Sequence, residues 1–267
     1  SRGICKQCII SGRRLRESRT PNHLIAVLVL RNGIRMLNDS IYVFDDLINI
    51  AYQEQIKDTL IGNRNFKNKE FPWYYSKDVT NSEAEITQAR PALGHRYVSY
   101  DNDTKKATLA SQHHQLFVPL LKSACARMDI KDAQVLQGRS FLQFPLNLKD
   151  ETIDTPHIDL FFPHMVVLYY VCDSDGDTVL YNQRYTGKER VYNLHKYQDE
   201  FTERQSVTPK QGRTVIFDGT IFHTAQQPIN NIRCVVNYNL IYDSTKLATP
   251  LEEVPETHPE TSGNEGT

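Results

Sequence analysis

The sequence predicts a mainly β fold with flanking helices, in which the strands close into a barrel. Residues 165–171 form an apolar strand-like run, and residues 208–218 read as a turn that leads into another strand. Apolar residues recur at helical spacing within 47–60 and from about 106 to 128. In the last strand, 233–240, one side carries Arg233, Asn237 and Asn239, and the other side is apolar. If Arg233 reaches a buried ligand, the polar side faces the barrel interior and the apolar side packs on the helices.

Composition limits the class of protein. A chain of 267 residues with 39% hydrophobic residues can bury a sizeable core as one large or two small domains. The net charge of −1 argues against a dedicated nucleic-acid binder. Five scattered cysteines do not suggest a disulfide framework, so we expect free thiols and a cytoplasmic location. The apolar run 24–30 is far shorter than the roughly 20 residues that a membrane span needs.

Charge and composition divide the chain into three parts. Residues 1–36 hold eight Lys/Arg and one acidic residue, and we interpret them as a basic leader that is non-native or disordered. A basic arm that contacts nucleic acid or membrane is the competing interpretation. Residues 37–245 are expected to form the catalytic domain, with helical N-terminal support over 46–128 and a barrel core over 135–243. The tail 246–267 is rich in Pro, Glu, Thr and Gly, which predicts disorder.

A candidate metal site lies between His157 and His223. His157 and Asp159 are two residues apart, so in a strand both side chains point to one side. His223 would come from a second strand. Two histidines and one carboxylate can occupy one face of an octahedral Fe(II) and leave three positions open. Arg233, ten residues after His223, could hold a carboxylate through a bidentate contact.

Two neighbouring features compete with this interpretation. His164 is the strongest rival metal ligand, but it follows Pro163 and is expected to lie beyond the strand end. The acidic run 173–177 lacks the glycine and glutamate that an EF-hand loop requires, so we interpret it as a hairpin turn with Gly176 at its tight point.

The order of these motifs, from Thr155-Pro156-His157-Ile158-Asp159 to His223 and Arg233, resembles the Fe(II)/2-oxoglutarate dioxygenase superfamily. The resemblance covers roughly residues 41–242 and is greatest to the prolyl 4-hydroxylase-like branch, including phage-type members. It implies a double-stranded β-helix, the jelly-roll or cupin-like barrel. It also implies Fe(II) and 2-oxoglutarate as cofactors, O2 as oxidant and ascorbate as an optional reductant.

The resemblance assigns roles to particular side chains. His157, Asp159 and His223 would bind the iron, while Arg233 and Tyr170 would bind the distal carboxylate of 2-oxoglutarate. Phe144 is a departure, because the relatives carry a tyrosine there that lines the pocket. Trp73, within an aromatic cluster, is interpreted either as a channel residue or as part of the core. The residues expected around the substrate are Phe144, Gln143, Ala225, Asn237, Asn239 and Trp73.

The reaction implied is hydroxylation of a C–H bond, with release of succinate and CO2. A peptidyl proline is the first choice of substrate, and the partner would be a protein, a peptide or a small molecule in the cytoplasm (the host cytoplasm if the chain is viral). A small-metabolite hydroxylase and an alkylation-repair demethylase remain alternatives. The repair enzymes carry a second arginine six residues after the first, where this chain has Asn239. Outside this superfamily, the alternatives are a non-enzymatic jelly-roll binding module and, third, a zinc-dependent hydrolase.

Overall fold

The structure is a computed structural model that describes residues 40–62, 71–79, 89–146, 148, 153–187 and 201–242. It also describes the backbone of 28–29, 35–36 and 252–253. The predicted basic leader and disordered tail therefore lie almost wholly outside the described residues. Within the described ranges, no helix has the length and apolar character needed to cross a membrane.

Strands dominate the described part of the chain. In chain order the elements are β1 (Leu28–Val29), β2 (Arg35–Met36), β3 (Tyr42–Phe44), α1 (Ile50–Leu60), β4 (Tyr74–Ser76), β5 (Ala92–Asp101), β6 (Lys106–Leu109), a 3-10 helix (Gln112–Phe117), α2 (Val118–Arg127), β7 (Gln134–Gln143), β8 (Met165–Tyr170), β9 (Thr178–Arg184), β10 (Glu203–Val207), β11 (Thr214–Asp218), β12 (Ile221–Ala225), β13 (Arg233–Ile241) and β14 (Glu252–Glu253).

Two sheets carry the fold. The large sheet has the order β14-β6-β5-β7-β13-β8-β11-β3, with β4 paired to β5, and the small sheet has the order β10-β9-β12. Neighbouring strands in both sheets are antiparallel, except that β14 runs parallel to β6. The prediction of a mainly β fold with flanking helices is confirmed.

An apolar core fills the space between the sheets. One buried cluster joins Leu180 of the small sheet to residues of the large sheet, namely Val166, Leu168 and Tyr170 of β8 and Val235 of β13. β-Branched and aromatic residues suit this environment because they pack well on a pleated surface. This shared core holds β8 and β13 of the large sheet against the small sheet, and these strands carry candidate site residues.

The two helices cover the other face of the large sheet. A second buried cluster joins β13 to both helices. It contains Cys234, Val236, Tyr238 and Leu240 of β13, Ile56 and Leu60 of α1, Leu120 and Ala124 of α2, and Phe117, which precedes α2. The apolar side of the last strand therefore packs on the helices, as predicted, and its polar side faces the small sheet. In α2, Pro119 lies in the first turn, where the missing N–H costs no helical hydrogen bond.

Only part of the range 46–128, expected to give helical N-terminal support, is helical. β4, β5 and β6 fall within this range and extend the large sheet. The predicted helix from 106 begins instead with β6, in which Ala107 and Leu109 are buried on alternate positions and pair with Tyr100 and Val98 of β5. Pairing with a neighbouring strand overrides a helical pattern that the local sequence also permits.

The hairpin predicted at 173–177 is also wrong, because β8 belongs to the large sheet and β9 to the small one. The segment is a crossover between sheets. Gly176 is required there by close packing rather than by a turn. A Cβ at this position would lie 2.6 Å from the carbonyl oxygen of Gln226 and 3.0 Å from Cδ of Arg233.

Candidate metal centre

The side chains of His157, Asp159 and His223 converge on one point. Their ligand atoms all lie within 4.8 Å of one another. Nε2 of His157 is 4.0 Å from Oδ1 of Asp159, and Nε2 of His223 is 3.8 Å from Oδ2. Among the residues the structure describes, no other group of three His, Cys, Asp or Glu side chains has such spacing. The sequence-predicted ligand set is therefore brought together.

Backbone pairing creates this proximity. His157 lies on the segment between β7 and β8, and His223 lies on β12. The two residues form an isolated antiparallel bridge, with N–O distances of 2.9 and 3.0 Å. Residues opposite each other in such a bridge project to the same side, and the two ring centroids are 4.7 Å apart.

The hydrogen bonds of both imidazoles suit metal binding. Nδ1 of His157 lies 3.2 Å from the carbonyl oxygen of Thr155, and Nδ1 of His223 lies 3.1 Å from that of Ile221. Because a carbonyl only accepts, each Nδ1 carries a hydrogen, so in the neutral ring Nε2 is the nitrogen with the free lone pair. This is the arrangement in which a histidine binds a metal through Nε2.

The side chain of Asp159 is fully buried and is held by three donors. Asn237 and Asn239 each donate to Oδ2 through Nδ2 at 2.9 Å, and Nη2 of Arg139 donates to Oδ1. Burial alone would raise the pKa of Asp159, but the charge of Arg139, with the hydrogen bond from Asn239, holds it well below its usual range. The carboxylate is therefore ionised at neutral pH.

His223 is driven to the neutral form. Burial lowers the pKa of His223 to about 4, and the neighbouring His157 adds to this effect, while Asp159 opposes it. A metal-binding histidine must be neutral and a metal-binding carboxylate ionised. The environment thus gives both side chains the protonation state that a cation requires.

Arg233 is a buried cation whose partners are all neutral. Nε donates to the carbonyl oxygen of Gly176 at 2.9 Å, Nη1 to Oε1 of Gln143 at 2.7 Å and Nη2 to Oγ1 of Thr178 at 2.8 Å. Within the described ranges no carboxylate lies within ion-pair distance of it. A buried charge is costly unless it is paired, so this environment suits an anionic ligand.

Tyr170, predicted to bind the same carboxylate as Arg233, lies beside that arginine. Its hydroxyl donates to Oγ1 of Thr178 at 2.7 Å, and its ring centroid is 6.0 Å from the guanidinium carbon. Thr178 thus joins the tyrosine and the arginine through one oxygen. Thr178 was not identified from the sequence. Its position at the start of a strand after the acidic turn was the only available signal.

The predicted substrate-side residues separate into two groups. Gln143 contacts Arg233, Asn237 and Asn239 contact Asp159, and Ala225 lies on β12 two residues after His223. Phe144 does not share their face, because adjacent strand positions alternate and Gln143 already faces Arg233. Its side chain lies just beyond β7 and is 42% exposed.

Trp73 is not a channel residue. It donates from Nε1 to the carbonyl oxygen of Leu60 at 2.9 Å and packs with Phe71 against the core under the helices. That core lies on the opposite face of the large sheet from Asp159. The aromatic cluster is therefore part of the core, which was the other interpretation of its sequence.

Arg139 and His164 also lie near the site, although the sequence did not predict this for either residue. Arg139, on β7 opposite Asn237, was not singled out, because a lone arginine in a strand usually faces solvent. His164 is buried, donates from Nδ1 to the carbonyl oxygen of Phe162 at 2.7 Å and leaves Nε2 without a partner. It does not belong to the converging group.

No protein-family model and no curated protein sequence matches the chain. Solved structures do match. An oxidoreductase of the 2OG-Fe(II) oxygenase family from Burkholderia pseudomallei aligns with a TM-score of 0.53 and 10% identity, over 76% of this chain and 85% of that one. This likeness shows the fold, and the double-stranded β-helix expected from the sequence is confirmed.

Two weaker structural similarities have TM-scores below 0.5. The α-ketoglutarate-dependent epimerase SnoN from nogalamycin biosynthesis aligns with a TM-score of 0.49 and 12% identity, over 82% of this chain and 86% of that one. A prolyl hydroxylase from Trichoplax adhaerens, in complex with a hypoxia inducible factor peptide, aligns with a TM-score of 0.46 and 10% identity, over 77% and 84%.

Proposed function

We propose that this chain is an Fe(II)- and 2-oxoglutarate-dependent oxygenase that hydroxylates a C–H bond. The convergence of His157, Asp159 and His223 within 4.8 Å is the observation that carries the proposal. A non-enzymatic jelly-roll module with an incidental His-x-Asp triplet would not require His223 at the same point. Nor would it require both free Nε2 atoms beside an ionised carboxylate.

Each protein group has a defined task in this proposal. His157, Asp159 and His223 would hold the ion and leave three of its six positions open. Bound there, Fe(II) would supply the redox chemistry by which O2 converts 2-oxoglutarate to succinate and CO2 and a substrate C–H bond to an alcohol. Asn237, Asn239 and Arg139 hold the Asp159 carboxylate in place, as groups that contact metal ligands commonly do.

The co-substrate site is the Arg233 cluster. The guanidinium and the Tyr170 ring are buried, so a carboxylate that reaches them leaves water and pairs with a fixed charge. Thr178 accepts from both side chains and keeps its own hydroxyl hydrogen to donate. Gln143 accepts from Nη1 and fixes the guanidinium plane. This arrangement supports 2-oxoglutarate, whose distal carboxylate would bind Arg233.

Among substrates we retain a peptidyl proline, on the sequence resemblance to the prolyl 4-hydroxylase-like branch. A small metabolite is the second candidate. The alkylation-repair alternative is less well supported, because Asn239 stands in place of a second arginine and donates to Asp159.

The test is an anaerobic titration with Fe(II) and 2-oxoglutarate. Formation of the ternary complex is monitored through its weak visible charge-transfer band. Arg233→Ala should weaken 2-oxoglutarate binding about 100-fold, because charge-assisted hydrogen bonds are lost. Arg127→Ala is the matched control, since Arg127 is exposed in the last turn of α2, on the other side of the large sheet, and should leave the titration unchanged. Iron binding without any band in wild type would refute the co-substrate assignment, and no iron binding would refute the proposal as a whole.

A further inference from the structure

Two arginines stand on the inward face formed by β7 and β13, Arg233 at the end of this face and Arg139 near its middle. Gln143 lies opposite Arg233, and Arg139 lies opposite Asn237. Arg139 and Gln143 are four residues apart on β7, which places their backbones about 13 Å from each other along the strand. The metal-binding carboxylate lies beside Arg139.

The two arginines differ in access to solvent. Arg233 is 4% exposed, which suits a co-substrate enclosed at the closed end. The side chain of Arg139 is 24% exposed and that of His157 is 42% exposed. A molecule that enters the site therefore meets Arg139 before it meets Arg233.

Most of the hydrogen-bonding capacity of Arg139 is unused. A guanidinium has five N–H donors, and only Nη2 is engaged, on Asp159. Nε is buried without an acceptor, and Nη1 has no partner among the described residues. The group is nevertheless fixed in place, because its carbon lies 5.5 Å from the ring centroid of Phe141.

The charges of the occupied site would not balance without another anion. A divalent ion, Arg139 and Arg233 supply four positive charges. Asp159 and the two carboxylates of 2-oxoglutarate supply three negative ones. Two other buried carboxylates are each paired with an arginine. Asp154 is 3.0 Å from Arg90 and accepts from Gln227 at 2.7 Å, and Asp218 is 3.3 Å from Arg184. One positive charge is left over, and Arg139 is the more exposed of the two arginines in the site.

We propose that Arg139 is a specificity-determining residue that binds a carboxylate of the substrate beside the metal ligands, an inference that rests on the proposed function. The substrate class is then an organic acid. The carboxylate belongs either to a free acid or to an acidic side chain next to the oxidised residue of a peptide.

The experiment compares matched acid and amide probes on the anaerobic complex with Fe(II) and 2-oxoglutarate. Perturbation of the charge-transfer band reports probe binding without turnover. One arm uses L-proline and other L-α-amino acids against their primary amides. The other arm uses the capped dipeptides Asp-Pro and Glu-Pro against Asn-Pro and Gln-Pro. We expect acids in one arm to bind at least about tenfold more tightly than the matched amides.

Variants separate this role from a structural one. Arg139 also contacts Asp159, so each variant is titrated at Fe(II) and 2-oxoglutarate concentrations that saturate its own band, and the ratio of acid to amide affinity is compared within each variant. That ratio should fall to about one in Arg139→Gln and be partly restored in Arg139→Lys. If acids and amides bind alike or not at all in wild type, or if Arg139→Gln keeps the preference, the inference is refuted. Failure of the proposed function is distinguishable, because it would abolish the band in wild type before any probe is added.

Discussion

Single side chains at the metal centre show how burial acts on acids and bases. Burial disfavours the charged form of both Asp159 and His223. For His223 that effect prevails and the histidine is neutral. For Asp159 it is overcome, because Arg139 and two asparagine amides surround the carboxylate. Asp159 and His223 are therefore in their metal-binding protonation states before any metal arrives.

The lowered pKa of His223 makes a prediction about stability. The unfolded chain takes up a proton on this histidine near its ordinary pKa of 6.5, whereas the folded chain does so only near 4. Acidification from pH 7 to 5 therefore favours the unfolded state, by about 2 kcal/mol from this residue. Asp159 adds nothing in that window, because its unfolded pKa of 3.8 lies below it.

Urea unfolding of the metal-free protein at pH 7 and pH 5 measures this contribution. Wild type should lose stability on acidification, and His223→Asn should lose about 2 kcal/mol less between the same two pH values. Comparing each protein with itself at pH 7 removes the general cost of the substitution. An equal loss in both proteins would contradict the prediction.

At the residue scale, the sequence predicted the convergence of His157, Asp159 and His223 from an i, i+2 pair and the order of the strands, and the structure brings the three side chains together. The roles of Arg233 and Tyr170 came from the family resemblance and stay predictions. Arg139 and Thr178 were missed because their importance comes from neighbours on other strands. The three cysteines within the described ranges, Cys125, Cys172 and Cys234, carry free thiols as predicted.

At the scale of elements, the crossover from β8 to β9 places the Arg233 site. It carries the chain from the large sheet to the small one and brings the carbonyl of Gly176 to Nε of Arg233. The sequence suggested a hairpin here because acidic residues and a glycine are typical of tight turns. Sheet membership depends on partners far along the chain, which local composition cannot supply.

Gly176→Ala should therefore weaken 2-oxoglutarate binding and destabilise the fold. The new Cβ would lie 2.6 Å from backbone of Gln226, so the crossover must shift, at a cost of about 1–3 kcal/mol. Gly94→Ala is the matched control, because its Cβ would meet nothing closer than 3.6 Å. Titration with 2-oxoglutarate and urea unfolding measure the two effects, and similar behaviour of both variants would argue against close packing at Gly176.

Residues 106–128 also show that a partner elsewhere in the chain can decide the secondary structure of a segment. Its apolar spacing fits a helix, and α2 does occupy the second half. The first half becomes β6 because β5 offers a partner. In β13, by contrast, the alternation of polar and apolar residues correctly predicted which side packs on the helices. This alternation can be recognised within a single strand, without knowledge of its neighbours.

At the scale of the whole molecule, the candidate metal site and the supporting helices lie on opposite faces of the large sheet. The polar face of β13 carries the candidate site, and its apolar face rests on α1 and α2. Stability and metal binding should thus respond separately to substitutions on the two faces.

Leu120→Ala tests that separation. Leu120 is fully buried under the large sheet, so truncation should lower the free energy of unfolding by about 3 kcal/mol. Affinity for Co(II), measured calorimetrically well below the unfolding midpoint, should stay within about twofold, or roughly 0.4 kcal/mol. Ile50→Ala is the control: Ile50 is 64% exposed on α1, and its loss should cost less than about 0.5 kcal/mol. A large fall in Co(II) affinity in Leu120→Ala would show that the faces are coupled.

The bridge between His157 and His223 also has a kinetic meaning. Four described strands, β8 to β11, lie between these residues in the chain, so the bridge is a long-range contact. Contacts of this kind must pay the entropy of closing a long loop, and they slow folding. A newly made chain therefore exposes separate histidines with no shared geometry. The three candidate ligands meet only after the two sheets have come together, so binding of the proposed metal is a late event in the maturation of the protein.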